Sequence, residues 1–241
     1  MVLSLWIALV GGILMGSTPA PVGAWPLAWI ALAPLWVQLI KAESKNENLT
    51  RLSWLQQDKT LKKEAKSSNF NFKFLILNAL AWGVGYHGLA LSWVLGLHPL
   101  TWMGIPWVLS IAIALIALTL FTIWGATLVV TWAITTKALF HLIPNPLTRI
   151  LIGTALWCIL ESIWSAGPLW WTSLSYTQSP HNLAILHLGQ ISGPNTITAA
   201  IVAVNGLLAQ AWINRPKQTD PPNSSLAFYP TGSRCASMAV E

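Results

Sequence analysis

Six stretches of this chain run almost without charge: residues 2–16, 23–40, 72–97, 103–135, 150–166 and 192–213. In hydrocarbon every unsatisfied backbone N–H or C=O is costly, so such a chain folds as helices or as a closed barrel. Barrel strands take about 10 residues of alternating polarity, and these runs are longer and apolar throughout. Composition agrees, with 54% hydrophobic residues and 8% charged, against roughly 25% charged in soluble domains. The expected fold class is therefore all-α: a polytopic membrane helix bundle of about six transmembrane helices, over residues 1–213.

A straight crossing needs about 20 residues, and the first two runs are shorter. They are predicted to form a tight helical hairpin around Pro19 and Pro21. A secretory signal cleaved after Ala20 is the alternative, but no basic residue precedes the apolar stretch and prolines crowd the site. The fourth run continues to Ile143 and is too long for one upright crossing, so it either tilts and projects or bends near Gly125.

Charge sets the orientation. Of 13 Lys and Arg, eight lie between Lys41 and Lys73, mixed with Glu43, Glu47, Asp58 and Glu64. The positive-inside rule makes residues 41–73 a cytoplasmic loop. Six crossings then put both termini and the Lys137–Arg149 turn on the cytoplasmic side. The loops 17–22, 98–102 and 167–191, almost free of charge, fall outside. The net charge of +6 is thereby a matter of topology, and no nucleic-acid partner is inferred from it.

The sixteen Trp include pairs at segment ends, Trp25 with Trp29, Trp102 with Trp107, and Trp170 with Trp171. Most are expected in an interfacial belt. The sharper expectation is that outer Trp residues, with Pro168, shape a groove for a lipid acyl chain. Cys158 lies within an apolar run and Cys235 in the tail, with no base arranged beside either, so no catalytic residue is assigned. His87, His98, His141, His181 and His187 show no metal-ligand spacing, and neither a metal nor a cofactor is expected.

Glu161 stands in the middle of the fifth run with no basic residue within a turn. An ionisable group there is costly and marks a candidate functional site. Trp157, Glu161 and Trp164 share one helix face by their spacing. The structural alternative is a hydrogen bond from Glu161 to a neighbouring helix, with Asn78, Ser92 and Asn205 as candidate partners.

Three sets of motifs occur in order: Trp25-Pro26-Leu27-Ala28-Trp29 with Ala33-Pro34-Leu35; Gly83-Val84-Gly85-Tyr86-His87-Gly88 leading to Ser92-Trp93-Val94; and Trp157 through Glu161, Gly167-Pro168, Trp170-Trp171, Leu174 and Ser175-Tyr176-Thr177-Gln178 to Gln190, Gly193 and Asn205. Over residues 10–212 this combination resembles the bacterial apolipoprotein N-acyltransferases of cyanobacterial type. The resemblance implies lipid-groove candidates at Trp93, Glu161, Pro168, Trp170, Trp171, Tyr176 and Gln178. It departs at Trp164, where many members carry Arg, and at Ser175, where a Gly is usual, so no ion pair is carried over to Glu161.

The family's enzymes, by this resemblance, move an acyl chain from a phospholipid to the N-terminal amine of a lipoprotein, the last step of lipoprotein maturation. They do so through a thioester on the Cys of a Glu-Lys-Cys triad in a periplasmic nitrilase-like domain. The 241 residues hold no such domain, and residues 214–241 read as a Pro, Ser and Asn-rich disordered cytoplasmic tail. The expectation is the membrane domain of such an enzyme, truncated or split before its catalytic domain, in a bacterial inner membrane with both termini cytoplasmic. Its expected partners are a phospholipid acyl donor, a lipoprotein substrate and a separate nitrilase-like chain. A non-catalytic membrane scaffold or lipid-binding protein is the alternative. A transporter is disfavoured because Glu161 stands alone within the spans and no broken-helix repeat is evident.

Overall fold

The computed structural model describes residues 2–42 and 60–215, the side chains of residues 60–71 excepted. Residues 43–59 of the basic loop and the tail from residue 216, with Cys235, lie outside the described residues. Every described element is helical. Helix α1 is Val2–Gly16, a 3-10 turn spans Trp25–Trp29 and leads into α2 at residues 33–42, and α3 is Thr60–Ala90. Helix α4 is Trp107–Phe140 and α5 is Pro146–Ser165. Two single turns, α6 (Leu183–Leu186) and α7 (Gly189–Ser192), precede α8 (Pro194–Ile213).

Among the described residues four segments are long and apolar enough to cross a membrane: Trp25–Ala42, α4, α5 and α8. The sequence suggests six. Helix α1 is apolar but has only 15 residues, or roughly 22 Å at 1.5 Å per residue. The third run carries Lys73, Asn78 and His87 within its helix. The long fourth run is a single unbroken helix of 34 residues, roughly 50 Å against a hydrocarbon core of about 30 Å. An unbroken helix of that length has room for a single crossing, in which it would tilt or project.

Small residues set the helix order. A Cβ on Gly12 would lie 2.0 Å from the Trp82 carbonyl oxygen, and one on Gly85 would lie 2.7 Å from the Leu9 carbonyl. Helices α1 and α3 therefore touch backbone to backbone, as apolar helices do where no side chain intervenes. Gly16 meets Tyr86 as Gly12 meets Trp82, so the two helices run parallel. Helices α3 and α4 run antiparallel, Gly83 against Ala126 and His87 against Gly125. The α4–α5 and α5–α8 pairs are antiparallel too: Trp132 meets Gly153 and Trp124 meets Trp164, while Glu161 meets Thr198 and Ile150 meets Gly206. All turns after α1, α3 and α5 consequently gather at one end.

The start of α2 falls inside the bundle, where its first N–H groups have no water to bond. Asn205 of α8 supplies the partner. Its Oδ1 accepts from Leu32 N at 2.9 Å and Ala33 N at 2.8 Å, and its Nδ2 donates to Ala28 O at 2.8 Å. Pro34 in the first helical turn gives up an N–H that would be orphaned in any case. Helix α5 is capped locally instead, Asn145 accepting from Leu147 N at 2.8 Å just before Pro146.

Replacing Asn205 by Leu keeps the branched outline of the side chain and removes the cap. Each orphaned buried group costs about 1–3 kcal/mol. Thermal unfolding in detergent is expected at a clearly lower temperature than for the unmodified chain; an unchanged midpoint would mean that water reaches the start of α2.

Candidate functional site

Glu161 is 3% exposed, one turn beyond Trp157 on α5. Its Oε2 accepts from Trp157 Nε1 at 2.9 Å. Its Oε1 accepts from the Ser173 hydroxyl and, at 3.1 Å, from Thr198 Oγ1 of α8. Ser175 Oγ lies 2.7 Å from Ser173 Oγ and extends the network. One carboxyl thus joins α5, α8 and the outer segment 166–193. The partners suggested by sequence are different ones, and none of them bonds to Glu161. Asn205 caps α2, Asn78 donates to Phe74 O on its own helix, and Ser92 is exposed in a 3-10 turn.

Trp157 also belongs to an aromatic column. Trp36, Trp82, Trp132 and Trp157 are fully buried, with Trp132 and Trp157 centroids 5.0 Å apart and Trp36 and Trp132 5.2 Å apart, both edge to face. Edge-to-face packing of this kind stabilises beyond the area it buries. Trp82 and Trp132 donate their indole N–H to Ala31 O and Gly153 O. These four tryptophans form the core of the bundle and not an interfacial belt.

The column continues outward through Tyr86 and His87. A Cβ on Gly125 would fall 2.4 Å from His87 Cγ, so only a bare α4 backbone leaves room for the imidazole. His87 Nδ1 and Thr172 Oγ1 are 2.7 Å apart, and Tyr86 donates to Thr172 O at 3.0 Å. Two adjacent α3 side chains thereby hold Thr172, one by its backbone carbonyl and one by its hydroxyl, directly before Ser173.

Above this anchor lies a pocket of about 390 Å³, with Trp93, Trp171 and Tyr176 on its walls and Tyr86, Thr172 and Ser173 lining it below. Trp93 is 53% and Trp171 44% exposed, and their ring centroids are 5.7 Å apart, with Phe121 packed on Trp171 at 4.8 Å. Of the residues singled out from sequence, Trp93, Trp171 and Tyr176 meet here, and Glu161 lies one hydroxyl beneath. The others do not join them. Trp170 turns inward against His87, with centroids 5.6 Å apart. Gln178 is buried, accepts from Asn182 and donates to Trp25 O, so it ties the outer segment to the 3-10 turn. Pro168 is exposed and lines no part of the pocket.

Sequence reasoning missed Ser173, Thr198 and Thr172. Hydroxyl residues are common in membrane helices and loops, and nothing in their spacing reveals a partner on another element. Trp164 stacks on Trp124 and donates to its carbonyl at 3.2 Å. Cys158 is half-buried, with Sγ 3.7 Å from Asn195 O. Among the described residues no three of His, Cys, Asp and Glu converge as metal ligands would.

The arrangement around Glu161 separates two substitutions. In Glu161→Gln the amide oxygen still accepts from Trp157, and the Ser173 and Thr198 hydroxyls can turn to accept, so the loss should stay within about 1 kcal/mol. Glu161→Lys buries an unpartnered charge, at about 3 kcal/mol or more. Membrane levels and detergent unfolding are expected to be near normal for Gln and strongly reduced for Lys. Equal levels for both would show that the side chain reaches water.

A family model described as the apolipoprotein N-acyltransferase N-terminal domain matches residues 63–207. The chain is 50% identical over 202 residues to an apolipoprotein N-acyltransferase of Nostoc sp., covering 83% of this chain and 35% of that protein. It is 39% identical to the Synechocystis sp. protein of that name, covering 83% and 37%, and 37% identical to that of Thermosynechococcus vestitus, covering 86% and 36%. The chain spans about a third of the length of these relatives. With the family model covering more than half of its residues, the chain belongs to the apolipoprotein N-acyltransferase family, to whose N-terminal membrane portion it corresponds.

Proposed function

We propose that this bundle is the membrane domain of an apolipoprotein N-acyltransferase and that its outer pocket receives a lipid substrate. The 50% identity to a relative of that name carries the reading. It is supported by the pocket itself, which opens among exposed Trp93, Trp171 and Tyr176 at the end where the loops lack charge. A hydrophobic wall with a hydroxyl-lined floor suits a molecule that is apolar over most of its length and polar at one end.

In this reading the described residues bind and orient, and a nitrilase-like catalytic domain carries the transfer, whichever polypeptide bears it. Acyl transfer through an enzyme intermediate requires a nucleophile within reach of a base and donors for the oxyanion. Cys158 lies against a backbone carbonyl with neither arrangement about it. The orientation follows from the basic stretch 41–73, which the positive-inside rule assigns to the cytoplasm. The pocket then faces the periplasm, where the lipoprotein amine is presented, and the membrane is the bacterial inner membrane.

The test is N-acylation of a reporter lipoprotein, read by mass spectrometry, in cells depleted of their own acyltransferase. The 241-residue chain alone is expected to give none. Co-expression with a membrane-anchored Glu-Lys-Cys domain from a relative is expected to restore it. Acylation by the chain alone, lost in Cys235→Ala, would overturn the reading, and none in either case would favour the scaffold.

A further inference from the structure

At the outer end the helices stop at different heights. Helix α3 ends at Ala90, where a Cβ on Gly88 would lie 3.7 Å from Thr122 Cγ2 of α4. Helix α5 ends at Ser165, beside the Trp124–Trp164 pair. Helix α4 begins at Trp107, so at 1.5 Å per residue it stands about 22 Å past the first contact and about 25 Å past the second. The loop after α3 climbs back along this limb. Ser110 Oγ accepts from Leu100 N at 2.8 Å and lies 2.8 Å from His98 Nδ1, and Trp107 packs edge-on against the His98 ring.

The limb is apolar and turned outward. Val108, Leu109, Ile113, Leu115, Ile116 and Leu120 are exposed, and no charged residue occurs from Phe74 to Thr136. The hydroxyls on the exposed side of α4 bond back to their own helix, Thr119 to Leu115 O at 2.8 Å and Thr127 to Trp124 O at 2.6 Å. A helix face shared with another helix uses such hydroxyls across the interface. A face in hydrocarbon must satisfy them on its own backbone.

The ends of α4 mark two levels. Exposed Trp102 and Trp107 are of the type that settles among headgroups, and Lys137 stands about 45 Å from Trp107 along the helix. A bilayer with its headgroup layers is about 40–45 Å thick. On that scale the Phe121–Trp171 contact, which seats the outer segment on α4, lies about 21 Å below Trp107. The segment suits that depth. Residues 166–193 hold no Lys, Arg, Asp or Glu, and Leu183 and Ile191 are exposed. Its single turns start on Ser173 and Asn182 caps, and the N–H groups of Tyr176, Ser179, Leu186 and Leu188 bond within the segment, as backbone at membrane depth requires.

We propose that the outer leaflet rises along α4 to the level of Trp102 and Trp107, so that the segment 166–193 and its pocket lie inside the leaflet, below its headgroups. Helices α3 and α5 then end within the bilayer, and the partner of the exposed α4 face is phospholipid. A hydrocarbon layer ending with α5 would instead leave the six apolar side chains of the limb in water. The inference concerns depth alone and stands whatever the pocket binds.

The test is nitroxide depth measurement on the purified chain in nanodiscs of phosphatidylethanolamine and phosphatidylglycerol. Labels are placed singly by Val108→Cys, Ile116→Cys and Ile191→Cys in a chain carrying Cys158→Ser and Cys235→Ser. All three positions are exposed, so the label displaces no packed side chain. Collisions with oxygen, which concentrates in lipid, are expected to exceed those with a water-borne nickel chelate at Ile116 and at Ile191. The Ile116 label is expected about 12 Å deeper than the Val108 label. Leu120→Cys and Leu183→Cys, exposed beside the same two sites, serve should either variant fail to accumulate. Chelate collisions dominating at either site would put the limb or the segment in water and overturn the proposal. Slow collision with both reagents at either site would mean that a second copy of the chain covers it, and overturns the proposal equally.

Discussion

A carboxyl group removed from water must find donors, and at Glu161 the donors come from three different parts of the chain. Trp157 is on the same helix, Thr198 on α8, and Ser173 in the outer segment. That demand joins the Tyr86 and His87 bonds to Thr172 and the Gln178 bond to Trp25 O in holding the segment 166–193 onto the helix ends, since its own regular structure amounts to a few single turns. The same carboxyl accepts from Trp157, which packs in the aromatic column against Trp82 and Trp132. In a medium that offers no competing water, one polar group can therefore organise both the core and the loop above it.

The helices themselves are held by different means. Between α1 and α3 the contact is backbone on backbone, allowed by glycines at positions 12 and 85. The broken entry to α2 is closed by the Asn205 side chain, which does for an internal helix start what a local cap does at Asn145. Both devices replace the hydrophobic effect, which gives no preference for helix over lipid once the chain is in the membrane. Directionality comes from close packing and from a small number of buried polar groups.

Much of this is legible in the sequence. The all-α class follows from the apolar runs, and Glu161 draws notice because a carboxylate in such a run is costly. Trp93, Trp171 and Tyr176 are singled out from sequence and line one pocket, whereas Pro168, Trp170 and Gln178, singled out with them, do not. The partners of Glu161 are not legible. Asn78, Ser92, Asn205, Ser173 and Thr198 are equivalent candidates until helix rotations are known, and a one-residue change of facing separates those that reach Glu161 from those that do not. Trp36, Trp82, Trp132 and Trp157 mislead for a related reason. Tryptophan in a membrane chain suggests an interface, whereas burial depends on which small residues lie opposite, as Gly153 lies opposite Trp36.

The central claim is that Glu161 joins the outer segment to α8 as a single unit. A double-mutant cycle on Ser173→Ala and Thr198→Val, read by detergent unfolding, tests it directly, because both hydroxyls donate to the same carboxyl oxygen. The account predicts that the two losses fail to add, with a coupling of about 0.5–3 kcal/mol. Additivity within about 0.3 kcal/mol would mean that the loop and the helix are held independently, and would contradict it.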